Sequence, residues 1–337
     1  MLKRTKRLAA LSLLRDPKRA FNVLRHIMAY PTSKHIVGGQ INITTRCNLK
    51  CSFCSYSMTV NAKNNDSKED MDAETFYRIL NLPVFKYPIY ISLGKGEPLL
   101  HQKLFDFIAE IQKRHILAMV VSNGINIPKH IELFKKNCPD IFLVSLYDET
   151  YEQQLANVSQ LLNSGCTENS VISVARIIKK DNLDDMVHYT EKAYSAGLRN
   201  IWFQQLMPLS EADYPNLLYD YDRDVITRID EVRESLTKKF PDMDITLPAL
   251  ITGSETKKLR CDSLFKGFGV NKDGSIQPCC RIDPPIGDSS YGNMFEDPLA
   301  HINNQKYLKL RQAFTTNHAK IPGPCKNCNL LSFKGRP

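Results

Sequence analysis

Ile41-Asn42-Ile43-Thr44-Thr45-Arg46-Cys47-Asn48-Leu49-Lys50-Cys51-Ser52-Phe53-Cys54 joins an apolar extended segment to three closely spaced cysteines. Three thiolates in one loop can hold three irons of a [4Fe-4S] cluster and leave the fourth open to a ligand that is not protein. Zinc is a poorer match, because a structural zinc takes four protein ligands and no histidine lies between His35 and His101. A disulfide framework is poorer still, since the x3/x2 spacing suits a chelating loop and nothing marks the chain as exported. Packing gives no reason for three cysteines in a polar loop.

Outward from this loop, short apolar runs alternate with longer amphipathic stretches. Strands are predicted at Gln40–Thr45, Ile89–Leu93, Ile116–Val121, Ile141–Leu146, Val171–Ile177 and Asn200–Leu206. Helices are predicted between them at Asp72–Leu82, Leu104–Lys113, Pro128–Lys136, Tyr151–Ser164 and Leu183–Ala196. Such alternation implies an α/β protein with a parallel sheet, because each crossover consumes about a dozen residues and covers one face. Six units make a partial (β/α)6 parallel barrel rather than the closed eight-unit form, and ligands collect at the carboxyl ends of its strands.

The 337 residues can bury a full core and leave material for a smaller second domain. With 42% hydrophobic and 24% charged residues the composition is that of an ordinary globular protein, without a run able to span a bilayer. The start, Met1 to Leu14, begins like a signal peptide, but its apolar stretch is short and is followed at once by Arg15-Asp-Pro-Lys-Arg19. Cytoplasmic residence is therefore expected. Much of the formal charge of +9 falls in the first 35 residues. There Asp16 can cap a helix that starts at Pro17 and carries Phe21, Leu24 and Ile27 along one side. Residues 1–36 read as a basic helical segment closing one end of the main domain, with peripheral contact to an anionic membrane as the alternative. No recognition motif accompanies the charge, so nucleic acid is not an expected partner.

The barrel is expected to occupy residues 37–240, with the polar stretch Ser210 to Asp224 as a solvated connection or a substrate entrance and a helix over Val225 to Phe240. Residues 241–337 then form a small α+β domain, in which Asn271-Lys-Asp-Gly274 turns a hairpin leading to Cys279. Four cysteines of this tail, Cys261, Cys279, Cys325 and Cys328, form a second donor set that suits either zinc or a fully ligated iron–sulfur cluster. Cys138 and Cys166 read as unligated. Cys280, next to a ligand, reads as a packing residue, a surplus ligand or a hydrogen-atom donor.

Cys47-x3-Cys51-x2-Cys54, with Phe53 before the last cysteine, resembles the signature of the radical S-adenosylmethionine (SAM) superfamily. The resemblance implies that SAM chelates the open iron and that the reduced cluster cleaves it to a 5′-deoxyadenosyl radical, which takes a hydrogen from substrate. It also implies a reduced flavodoxin or ferredoxin as electron donor. Gly94-Lys-Gly96-Glu97-Pro98 is similar to the family's Gly-Gly-Glu-Pro element at the SAM amino group, with Lys95 interrupting the glycine pair. By the same resemblance Glu97 is a counter-charge for the ammonium, and Ser122 and Asn123 of Ser122-Asn123-Gly124 lie near the cofactor. Ser145 and Asp148 would meet the ribose, Arg176 the methionine carboxylate or a structural carboxylate, and Gln204 with Gln205 the adenine or substrate.

The tail is similar to the Twitch module, the shortened SPASM domain, through Cys261, Gly274-x4-Cys279, Tyr291-Gly-Asn-Met294 and Cys325-x2-Cys328. This implies one auxiliary [4Fe-4S] cluster without an open iron, and two clusters with SAM in all. Relatives of this build act on peptides or small polar substrates. Epimerisation is the expected outcome, with Cys280 as the catalytic hydrogen donor; dehydrogenation and peptide cross-linking are the enzymatic alternatives. A zinc-stapled adaptor is the non-enzymatic one.

Overall fold

Alternation along the strands divides the sheet into two faces. The computed structural model describes residues 16–29, 36–54, 70–208, 210–251, 259–261, 263–279, 282, 291–296, 305–315, 321–322, 325, 328 and 331–333. In chain order, α1 (Pro17–Ala29) precedes β1 (Gly38–Asn42), α2 (Ala73–Leu80), β2 (Tyr90–Gly94), α3 (Leu104–Lys113) and β3 (Leu117–Ser122). Next come α4 (Ile131–Lys136), β4 (Ile141–Leu146), α5 (Tyr151–Asn163), β5 (Val171–Ile178), α6 (Asp185–Ser195) and β6 (Asn200–Gln205). The strands β1 to β6 pair in sequence order, all parallel. On the outer face Ile41, Ile91, Leu93, Val120, Phe142, Val174 and Phe203 join the helices in one continuous core. On the inner face Met119, Ile141, Leu143 and Ala175 pack with Tyr90, Val121 and Trp202 to fill the interior.

The sheet runs beyond six strands at both edges. After α7 (Arg223–Lys239), β7 (Asp244–Thr246) adds in parallel to β6. The tail supplies β8 (Leu259–Cys261), α8 (Ser263–Lys266), β9 (Gly269–Val270), β10 (Ile276–Gln277), α9 (Gln305–Thr315) and β11 (Leu331–Phe333). Its hairpin docks on the opposite edge, β9 parallel to β1 and β10 antiparallel to β9. The nine-stranded order is β10-β9-β1-β2-β3-β4-β5-β6-β7, open between its two ends, while β8 and β11 form a separate ribbon. The 240/241 boundary expected from sequence thus runs through a continuous sheet.

Element positions follow local chemistry. Asp72 caps α2 by accepting from the Thr75 amide at 2.8 Å, and Phe76, Ile79 and Leu80 form its buried stripe. β1 ends earlier than Thr45 because Thr44 leaves the ladder to bridge Asp70, donating its hydroxyl to Asp70 Oδ1 at 2.6 Å. The helix expected over Pro128–Lys136 is divided into a 3₁₀ turn, Ile127–His130, and α4. His130 leaves helical geometry at φ −121° and donates Nε2 to the Leu99 carbonyl at 2.9 Å.

The helix α1 is fastened to the amino ends of two strands. Asp16 pairs with His115 at 2.5 Å, just before β3, and Arg19 with Asp140 at 2.6 Å, just before β4. Asn22 and Val23 are buried beneath it, whereas Phe21 and Leu24 face solvent; the side chain of Ile27 lies outside the described set.

The tail hairpin turns at Gly274, whose φ is +82°. Its carbonyl accepts from the Met294 amide at 2.8 Å, and Asn293 Nδ2 donates to the Asp273 carbonyl at 2.9 Å. A Cβ at 274 would fall 2.5 Å from Asn293 Oδ1 and 2.6 Å from the Phe295 ring. Gly274→Ala is therefore expected to destabilise the protein by about 1–3 kcal/mol, read as a lower thermal midpoint. An unchanged midpoint would show that the turn relaxes freely.

Candidate active site

The three cysteines that follow β1 line one cavity at the carboxyl ends of β2, β3 and β4, together with Leu49, Gly96, Glu97, Val121, Ser122, Asn123, Ser145 and Tyr147. Burial raises the Cys51 thiol to about 11, with Cys54 and Cys47 adding to the effect. Cys47 is also pushed up by burial, although the Leu49 amide pulls against it and Glu97 adds to the rise. Three soft donors crowded in one half-buried loop are a thermodynamically poor set of thiols and a good set of iron ligands, because binding metal replaces the protons.

Glu97 organises the wall opposite. It is 1% exposed, and burial pushes its carboxyl above the usual carboxylate range. Oε1 accepts from the Leu99 amide at 2.9 Å and the Ser122 hydroxyl at 2.7 Å, and Oε2 from the Asn123 amide at 2.7 Å. The carboxylate thereby joins the loop after β2 to the loop after β3. The first of these loops is held to the cysteine strand by the Glu97 amide, which donates to the Arg46 carbonyl at 2.7 Å. Gly96, at φ +63°, permits that approach: a Cβ there would lie 2.4 Å from the same carbonyl.

Several residues that the sequence reading passed over complete the wall. Asn48, inside the cysteine loop, accepts from Asn123 Nδ2 at 2.7 Å. Fully buried Gln154 of α5 donates to the Asn123 and Ser145 carbonyls at 2.6 and 2.8 Å and accepts from the Tyr147 amide at 2.9 Å. Tyr147 stacks on Phe53 with centroids 5.7 Å apart. Beside Phe53, Leu206, Leu217 and Ile251 pack with Ile177, Tyr214 and Tyr219. The stretch Ser210 to Asp224, read as a connection or an entrance, thus contributes Tyr214, Leu217 and Tyr219 to the cluster that holds Phe53. A polar amide at i+3 of a helix start, as at Gln154, carries no distinctive sequence signal.

The remaining expected site residues divide by strand face. Gly94 and Gln204 lie on the inner face, Gly94 beside Gln40 and Gln204 two residues from Trp202; Pro98 begins the 3₁₀ turn capped by Glu97. Gln205 lies on the other face, with its side-chain amide against the Leu218 and Ala249 carbonyls. Arg176 shares the helix side with Val174 and Ile178; it pairs with Asp148, donates to the Leu146 carbonyl at 3.2 Å and lies over Tyr189 at 4.6 Å. Asp148 also accepts from the Tyr189 hydroxyl at 2.7 Å. These two side chains hold each other in an ion pair, which gives Arg176 the structural carboxylate that the sequence also allows. The strand-end arginine has its carboxylate partner two positions beyond β4.

In the tail, Cys261, Cys325 and Cys328 are buried and Cys279 is half-buried. Burial raises Cys261 to about 11; the Leu264 amide opposes this, and Cys279 and Cys328 add to it. Fully buried Tyr307 of α9 lies near Cys279 and Cys261, and Arg311 fastens α9 to α8 through the Leu264 carbonyl at 3.0 Å. Cys280 lies outside the described residues. An amide chain ties this region to the barrel: Asn42 Nδ2 donates to Asn271 Oδ1 at 2.7 Å and to Gln277 Oε1 at 2.9 Å, and Lys95 reaches Asn271 at 3.5 Å.

The comparisons with known proteins agree with this build. The model of the radical SAM superfamily matches residues 41–204 and that of the SPASM iron-sulfur cluster-binding domain residues 261–329, together more than half of the chain. The chain belongs to the radical SAM superfamily and carries a C-terminal cluster-binding domain. It is 23% identical over 329 residues, 86% of each chain, to the tungsten-containing aldehyde ferredoxin oxidoreductase cofactor-modifying protein of Pyrococcus furiosus. It is 22% identical over 273 residues to GTP 3′,8-cyclase of Petrotoga mobilis, covering 73% of this chain and 82% of that one. Streptococcus suis SuiB bound to SAM matches 92% of this chain and 76% of its own at TM-score 0.62 and 15% identity, and has also been solved with its precursor peptide SuiA. The cofactors are accordingly SAM and two [4Fe-4S] clusters, and both cysteine sets have the soft donors these require.

Glu97→Gln replaces one acceptor oxygen with an amide nitrogen facing donors. It is expected to cost about 1–3 kcal/mol by thermal unfolding and to weaken SAM binding by equilibrium dialysis; unchanged values of both would contradict the bracing role.

Proposed function

We propose that this radical SAM enzyme epimerises a carbon of a peptide or small polar substrate. Cys47, Cys51 and Cys54 are the proposed ligands of the SAM-binding cluster, and Cys261, Cys279, Cys325 and Cys328 those of the auxiliary cluster. A reduced flavodoxin or ferredoxin is the proposed electron source. The bound cofactors supply a 5′-deoxyadenosyl radical that removes a hydrogen atom from substrate. Gly94, Gly96, Glu97, Ser122, Asn123 and Ser145 shape the SAM side of the cavity, and Gln204 faces the interior across from them. Cys280 then gives its thiol hydrogen to the opposite face of the substrate carbon: the S–H bond breaks, a C–H bond forms, and an electron and a proton from the reductant and solvent restore the thiol.

The observation that carries this reading is the place of Cys280 directly after Cys279, a proposed auxiliary ligand. The docking of the tail hairpin on β1 sets β10 two strands from β1 and antiparallel to it, so that Cys279 emerges toward the amino end of β1, at the other end of that strand from the Cys47 loop. Two relatives' names point to different small-molecule and peptide chemistry, GTP for one and a precursor peptide for SuiB. Dehydrogenation is the second reading, favoured by an auxiliary donor set of four cysteines, which leaves a cluster free to accept an electron. Peptide cross-linking shares its mass change.

In deuterated water, wild-type product is expected to carry one deuterium at the inverted carbon, and Cys280→Ala to abolish inversion while retaining 5′-deoxyadenosine formation. A product two mass units lighter and free of solvent deuterium would establish the dehydrogenase or cross-linking outcome instead. Cys325→Ser combined with Cys328→Ser is expected to reduce bound iron from about eight to about four per chain. Retention of all the iron would remove these two ligands.

A further inference from the structure

The buried stripe of α9 contains an arginine. Tyr307, Leu310, Arg311 and Phe314 recur at helical spacing and are all buried, so the helix turns Arg311 inward with its apolar neighbours. Arg311 is 6% exposed. Its Nε donates to the Leu264 carbonyl at 3.0 Å, and its guanidinium carbon lies 5.1 Å from the centre of the Tyr307 ring, one turn earlier. Leu264 stands on α8 just beyond Cys261, and its amide stabilises the Cys261 thiolate. Tyr307 in turn lies near both Cys279 and Cys261. Two paths thus connect the guanidinium to the auxiliary donor set, one through α8 and one through the tyrosine.

A guanidinium stays charged when buried, and burying it costs free energy unless opposite charge or hydrogen bonds offset the loss of water. That cost is felt here, since burial lowers the proton affinity of Arg311 while Tyr307 opposes the change. Arg176, the other buried arginine among the described residues, has Asp148 beside it. Four thiolates outweigh the charge of a [4Fe-4S] core, so a fully ligated cluster is anionic and becomes more so on reduction; net charge is one of the terms that set its potential. We propose that Arg311 sets the reduction potential of the auxiliary cluster, its buried positive charge favouring the reduced form. A cluster that is easier to reduce gives an electron a place to rest, whichever way the substrate radical is resolved. The inference rests on the proposed auxiliary ligands, Cys261, Cys279, Cys325 and Cys328, and not on the outcome of the reaction.

The test is an anaerobic redox titration of the full-length, cluster-loaded enzyme followed by electron paramagnetic resonance, in which the SAM-binding cluster is recognised by the change that added SAM makes to its signal. Arg311→Gln removes the charge and is expected to lower the ratio of reduced to oxidised auxiliary cluster at a fixed potential about tenfold, equivalent to about 59 mV for one electron. Arg311→Met is expected to give the same shift, and Arg311→Lys, which keeps the charge, to stay near wild type. The SAM-responsive signal keeps its midpoint in all three, and iron stays at about eight per chain. An unmoved auxiliary midpoint in a neutral variant that keeps its iron, or a midpoint displaced as far by Lys as by Gln, overturns the proposal, since charge would then not be at work. Loss of the auxiliary iron in both neutral variants would make Arg311 a requirement for holding the cluster rather than the setting of its potential, and overturns it too. About four irons in wild type would instead remove the auxiliary ligand set itself, and the inference with it.

Discussion

The parallel pairing of β9 with β1 governs the spatial relation between the two cysteine sets. β1 is an edge strand of the barrel, and an unpaired edge exposes backbone donors and acceptors that must find partners. Closing the barrel would satisfy them, but six units are too few. The tail hairpin does so instead, at Gln40↔Gly269 and Ile41↔Val270. Because β1 runs directly into Cys47 while β10, antiparallel to it, runs into Cys279, one local solution to an edge sets the two sites toward opposite ends of β1. The contact is reinforced by polar groups that burial would penalise if separated: Asn42 is 5%, Asn271 1% and Gln277 5% exposed, and each finds a partner in the others.

The opposite wall rests on a buried carboxylate. Three donors favour ionised Glu97, yet burial outweighs them in setting its proton affinity upward. A cation brought to this wall relieves that desolvation, and the SAM sulfonium and ammonium are cations. Glu97 thus braces two loops and makes the wall receptive to positive charge. Arg176 stands outside this arrangement. Its guanidinium is neutralised by Asp148 on the helix side, which keeps a fixed positive charge away from a site that takes a cationic cofactor.

Strand order and the cysteine loop were legible because both are local patterns. Apolar runs of about six residues separated by amphipathic stretches admit few arrangements, and β4 matches its expected limits at Ile141 and Leu146. The hairpin at Gly274 was legible from turn chemistry for the same reason. What sequence could not show is which strand face a side chain takes at the end of a ladder. Arg176 and Gln205 each lie one residue from an inward position, and a single step in register reverses the assignment. Asn48, Tyr147 and Gln154 escaped notice because their importance lies in partners 75, 96 and 31 residues distant or less, which no spacing rule encodes. The docking of β9 was hidden because a two-residue strand has no periodicity at all.

Lys95 shows how the departure from a glycine pair is accommodated. At φ +66° it occupies a conformation that costs a residue with a Cβ about 1–2 kcal/mol. The cost falls on a loop already held from both sides, by the Glu97 amide on Arg46 and by the Glu97 carboxylate on Ser122 and Asn123. Those bonds over-determine the turn, so the loop keeps the shape that glycine would adopt without strain. The gain from a long cationic side chain is reach: its ammonium meets Asn271 in the tail hairpin, 176 residues away. The loop after β2 and the tail hairpin are therefore joined twice, through backbone pairing on β1 and through Lys95 above it. A glycine at 95 would relax the turn and remove the second link, leaving the loop and the hairpin connected through β1 and its amides.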